Sequence, residues 1–165
     1  MKKALLLLIA AAFVSVATVH TNAQSDNAQK LINTSKLLEA KPFEERAQAL
    51  RSAAMKYVIE TDEVSIVICP SVLGATMDKK NKYSSELLAQ YTFGMAAFKL
   101  SNPGQKDDEN AAQMAGVESM LRAYEAMVAE KPKAKYKGMD ELVAKRDNGE
   151  LAAMVEAAAC SSGSK

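Results

Sequence analysis

Ser84-Ser85-Glu86-Leu87-Leu88-Ala89-Gln90-Tyr91-Thr92-Phe93-Gly94-Met95-Ala96-Ala97-Phe98-Lys99-Leu100 is followed, after Ser101-Asn102-Pro103-Gly104, by a second long run that reaches Lys131-Pro132. In the first run Leu87, Leu88, Tyr91, Met95 and Phe98 make one apolar face at helical spacing, and the Asn-Pro-Gly that follows breaks it. In the second, Met114, Val117, Leu121, Tyr124 and Val128 step by three, four, three and four. Two long helices joined by a short polar connection predict an antiparallel pair. Gly94 inside the first costs about 1 kcal/mol relative to alanine. Its expected compensation is close approach of the helix after Ala111, with Gly116 serving the same purpose from the other side.

Working outward, Leu31, Ile32, Leu37 and Leu38 predict a helix over Asn27 to Glu39, interrupted at Lys41-Pro42. Pro42 suits the first turn of a following helix. From Phe43 to Ile59 the positions Ala47, Leu50, Ala54, Tyr57 and Val58 recur at helical steps, with Glu44 and Glu45 in the expected first turn. Val64-Ser65-Ile66-Val67-Ile68-Cys69 is ambiguous, because its β-branched run fits a buried strand and Thr61-Asp62-Glu63 before it fits a helix start. No second strand is visible to pair with it, so a short helix or turn is expected. Residues 70–81 read as a loop with one helical turn. Met139, Leu142 and Val143 predict a helix stopped near Asn148-Gly149, and Leu151, Met154, Val155 and Ala158 a last one reaching Cys160. The expectation is an all-α, compact bundle of five to seven helices, one domain over residues 24–160, with residues 161–165 as a flexible tail.

Met1-Lys2-Lys3, the apolar run from Ala4 to Val19 and the small residues Thr21-Asn22-Ala23 have the three-part layout of a secretory signal. Cleavage is expected after Ala23, with Ser15 and Ala17 marking an alternative site. The run of about 16 residues is short against the roughly 20 of a membrane span, so no stable membrane insertion is expected after cleavage. No cysteine follows it to carry a lipid. A periplasmic or secreted location of bacterial type follows from this reading.

Removal of Lys2 and Lys3 leaves 19 basic residues against 20 acidic ones. That near-neutral balance lacks the basic footprint of a nucleic-acid binder. His20, the single histidine, lies in or beside the signal, so imidazole-based triads, bases and metal ligands are unavailable to the domain. No metal, cofactor or enzymatic activity is expected. The carboxylate groups Glu44-Glu45, Asp107-Asp108-Glu109 and Asp140-Glu141 sit at expected helix starts, where the helix dipole accounts for them. Neither a facing acid–base pair nor a calcium loop is legible in them.

Cys69 and Cys160 are expected to pair in an oxidising compartment. Closing a loop of roughly 90 residues is worth about 4 to 5 kcal/mol in the chain-entropy account. The alternative is a reactive Cys69 thiol at a helix start before Pro70, and hence a redox protein. Lys131, Lys133, Lys135 and Lys137, with Tyr136 among them, read as a solvated linker or as a site for an acidic partner or the anionic cell-envelope surface. Met95, Met114, Met120 and Met127 fill a core unless exposed together.

Tyr91-Thr92-Phe93-Gly94-Met95-Ala96-Ala97-Phe98 and Ala123-Tyr124-Glu125-Ala126-Met127-Val128-Ala129-Glu130-Lys131-Pro132 resemble the two helices of a single tetratricopeptide repeat, over about residues 84–132. Gln90 stands where a bulky aromatic is usual and Met127 where alanine is usual, and the connection around Gln105 to Asn110 is an insertion. The resemblance implies a helical surface offered to a protein or peptide rather than catalysis. On this reading the chain is an exported binding or scaffold module using a groove beside the central pair, with Tyr91, Phe98, Tyr124 and Lys135 as its partner-binding candidates. As an exported helical domain with one disulfide it is also similar to small periplasmic acid-stress chaperones, which implies a holdase.

Overall fold

The computed structural model describes residues 25–160 apart from Ala75; the expected signal, residues 1–23, and the tail, residues 161–165, lie outside the described residues. The protein is all-α. Its helices are α1 (Asp26–Ala40), α2 (Ala47–Glu60), α3 (Pro70–Leu73), α4 (Ser84–Ser101), α5 (Glu109–Glu130), α6 (Lys137–Asp147) and α7 (Leu151–Ala157), and no strand occurs among the described residues.

α4 and α5 run antiparallel. Lys99 near the end of α4 meets Glu109 at the start of α5, while Gln90, nearer the start of α4, meets Ser119 further along α5. A Cβ on Gly94 would lie 2.5 Å from Ser119 Cβ and 3.0 Å from the Ala115 carbonyl oxygen. One on Gly116 would lie 2.6 Å from Met95 Cγ and 2.9 Å from the Tyr91 carbonyl oxygen. The two glycines therefore set the spacing of the pair, as expected from their places in the sequence. Asp108 caps α5 by accepting from Ala111 N at 2.9 Å, so the acidic run 107–109 is a helix start.

α4 is buried around its whole circumference from Ala89 to Ala96, more than the single apolar face read from its spacing. Tyr91 and Met95 face a core shared with α5, α6 and α7 through Val117, Leu121, Leu142 and Val155. Phe93 and Ala96 face a second core with Leu31 and Leu38 of α1 and Ala47 and Ala54 of α2. Between α1 and the hairpin, Gln90 Nε2 donates to the Ser35 carbonyl (3.0 Å) and to Ser119 Oγ (2.8 Å). Ser119 Oγ donates in turn to Glu39 Oε1 (2.6 Å), and Glu39 is also held by Arg122. Gln90 thus forms a satisfied polar junction between α1 and the α4–α5 pair.

Two expectations are corrected. α2 begins at Ala47 rather than Phe43, because residues 41–46 are taken up in turns. Phe43 is packed on Tyr83 with ring centres 5.1 Å apart, the Lys131 ammonium lies 3.5 Å from its centroid, and Arg51 Nη2 donates to the Pro42 carbonyl at 2.6 Å. Glu44 and Glu45 therefore precede the helix. The second correction concerns residues 61–69, called the strap below. Its stretch 64–69 is neither helix nor turn nor strand. Side chains take the place of a partner strand: Lys99 Nζ donates to the Ser65 carbonyl (2.9 Å) and Gln113 Nε2 to the Val67 carbonyl (2.8 Å). The strap ends at Cys69, bonded to Cys160 with Cα atoms 5.7 Å apart, and α3 follows with Pro70 in its first turn.

Candidate functional site

α2 docks through alanine. Ala47 and Ala54 are its buried residues, and they bring the helix close to α1 and α4 without filling the space on either side. Its larger apolar side chains consequently lie along the flanks. Ile59 is 75% exposed, and Met55 and Val58 are half-buried. Isolated exposed apolar residues carry little meaning, but contiguous ones rimmed by polar groups mark interaction sites.

Here they are contiguous. On one flank, Arg51, Met55 and Ile59 of α2 face Ser85, Glu86 and Ala89 of α4 across a hollow of about 710 Å³. On the other, Met55, Val58 and Ile59 face Val64, Ile66 and Ile68 of the strap and Leu88 of α4 across one of about 680 Å³. Met55 and Ile59 line both, so the hollows adjoin under the C-terminal half of α2. Ile68, at 41% exposure, borders the second. The second hollow is lined mainly by aliphatic side chains, as binding sites commonly are, whereas polar and charged side chains outnumber apolar ones around the first. The charged lining residues are Arg51, Lys56, Glu60 and Glu86 in the first hollow and Asp62 in the second.

The groove lies beside the central pair, but its walls are not made by the residues expected there. Tyr91 is completely buried, and burial pushes its phenol up to about 12. Tyr124 is buried as well; its hydroxyl donates to Asp140 Oδ1 at 2.7 Å and accepts from Tyr136 N, and burial followed by the Asp140 bond pushes it up to about 12. Both are core residues in this conformation and offer no surface to a partner. Phe98 is half-buried in a hollow of about 270 Å³ between α1, α4 and α5. Lys135 is exposed, with Nζ 3.8 Å from Asp140 Oδ2. The four do not share one surface. Met95, Met120 and Met127 are buried and Met114 is half-buried, so these methionines fill the core.

Val58 and Leu88 belong to the helical patterns read from the sequence, but Met55 and Ile59 fall outside them, which is why the pattern passes over Ile59. The one available signal was the partnerless β-branched run Val64 to Ile68. Cys69 is bonded to Cys160, so the alternative that needs a thiol has no free sulfur here. Among the described residues no cluster of acidic, histidine or cysteine side chains could hold a metal ion, and no helix is long and apolar enough to cross a membrane. No family model matches the chain, and no characterised protein or solved structure is significantly similar to it.

Proposed function

We propose that the protein is an exported, non-enzymatic binding module whose partner is a protein or peptide held in the groove between α2, the strap and α4. The observation that carries this reading is the pair Ile59 and Ile68, exposed on opposite walls of one aliphatic hollow. Burying two such side chains against a partner contributes about 1.5 to 3 kcal/mol each, enough to matter for binding and not needed for folding. The resemblance of the central pair to a tetratricopeptide unit supports the same class of partner.

Selection of a displayed random-peptide library on the oxidised domain tests it. The wild type should enrich a common apolar motif, and Ile59→Asp, at a position that contributes little to the core, should lose that enrichment. Equal enrichment on both proteins, or none on either, overturns the proposal.

A further inference from the structure

Beyond the bends at Asp62 and Glu63, residues 64–69 of the strap run between the hairpin and the groove without helix, turn or sheet. Its inward anchors are two residues apart: the carbonyls of Ser65 and Val67 receive Lys99 and Gln113. Along an extended chain, successive backbone groups point to opposite edges. The groups of Val64, Ile66 and Ile68 therefore point away from these anchors. Among the described residues none of their backbone N–H or C=O groups is hydrogen-bonded. Each has one donor and one acceptor without a partner, and unpaired strand edges are templates for another strand.

The side chains of the same three residues line the groove wall, half-buried at Val64 and Ile66 and exposed at Ile68. At the start of the strap Glu60, Asp62 and Glu63 are exposed. Asp62 enters no ion pair within the described residues, and Glu60 meets Lys56 only at 3.9 Å.

We propose that the strap binds an extended polypeptide by strand addition, its backbone pairing with Val64, Ile66 and Ile68. Alternate apolar side chains of the ligand enter the groove toward Ile59, and a basic residue meets the acidic end at Glu60 and Asp62. Main-chain bonds then give affinity and the aliphatic pocket gives selectivity, the division of labour seen wherever a peptide extends a sheet edge. This assignment rests on the groove being a binding site.

The probe is a labelled ten-residue peptide alternating valine and threonine, with two lysines at one end, titrated against the oxidised domain by fluorescence anisotropy. Two further versions carry N-methyl groups on alternate amides of one edge or the other. The expected result is saturable binding that one methylated version weakens by about tenfold or more, as loss of two or three backbone bonds requires, and the other leaves unchanged. Amide exchange should slow at Val64, Ile66 and Ile68 on binding and stay unchanged at Ser65 and Val67. Ile68→Asp should weaken binding while circular dichroism stays that of the wild type.

Equal binding of both methylated versions overturns strand addition and leaves the groove as a site read through side chains. Preferential binding of an amphipathic helical peptide, lost in Ile59→Asp, does the same. Absence of binding by every peptide overturns strand addition and the binding proposal together. Concentration-dependent self-association that Ile68→Asp abolishes gives the edge to a second copy of the chain and overturns a foreign ligand.

Discussion

Gly94 and Gly116 are the positions where one added carbon has the largest structural consequence. At each the obstacle includes a backbone carbonyl of the facing helix, so a methyl group can be accommodated only by moving α4 and α5 apart. Alanine's better helix propensity, about 1 kcal/mol, works in the opposite direction. Overpacking costs about 1 to 3 kcal/mol, and urea denaturation of Gly94→Ala and Gly116→Ala should show a net loss in both. Lys99 presents a different kind of residue-scale dependence. Its ammonium is buried against Glu109 Oε1 at 2.5 Å and also holds the Ser65 carbonyl. Lys99→Met leaves a buried carboxylate without its cation and should cost about 3 to 5 kcal/mol, much of it recovered when Glu109→Leu is added. A loss in the double variant equal to the sum of the losses in Lys99→Met and Glu109→Leu would show that the pair is not coupled. The alkaline pH dependence is carried by Tyr124 and Tyr91, both pushed up to about 12, and Tyr91 is the one with no exposed surface. With its phenol pushed up to about 12 in the fold, against about 10 in the unfolded chain, its contribution is complete below pH 10 and is lost as pH rises toward 12. Thermal unfolding of Tyr91→Phe should therefore decline less steeply across that window than the wild type.

The strap is the element on which most depends, since it forms a wall of the groove while lacking hydrogen-bonded secondary structure of its own. Two side chains from the hairpin and one disulfide hold it. Cys69→Ser combined with Cys160→Ser should lower stability by about 2 to 5 kcal/mol. Because the bond joins the strap to the chain just beyond α7, amide exchange should accelerate in the strap and α7. Protection in the α4–α5 pair, held by its own packing, should stay highest. Uniform acceleration throughout the domain would mean that the bond acts on the whole fold and not on the strap. In the sequence this element could be recognised only as an anomaly, a β-branched run with no second strand. The residues that satisfy it, Lys99 and Gln113, lie 34 and 46 positions away from their acceptors and belong to no local motif.

At the scale of the molecule, α4 is the shared wall of two cores. α1 and α2 cover one side of it, while α5, with α6 and α7 behind, covers the other. The alanine-faced contact of α2 is the thinner cover, and the groove opens there. The proposed export, and the oxidation it entails, belong to this scale as well. The intact mass of the protein recovered from the oxidising compartment should correspond to a chain beginning near Gln24, and it should take up no alkylating reagent until reduced. Labelling without reductant would restore Cys69 thiol chemistry as the leading alternative.

Periodicity alone determined that the chain is helical, where its two long helices run and that Gly94 and Gly116 mark their closest approach, because helix formation and close packing leave a local record of apolar spacing and small residues. The start of α2, the course of the strap and the burial of Tyr91 and Tyr124 were decided only by the tertiary structure. A helical repeat shows which face of a helix is apolar but not what lies against it, so a seam between helices and a docking face have the same signature. Ile59 and Ile68 became visible as a candidate site once α2 was seen to dock through alanine and the strap through side chains of a distant hairpin, contacts that no stretch of sequence records.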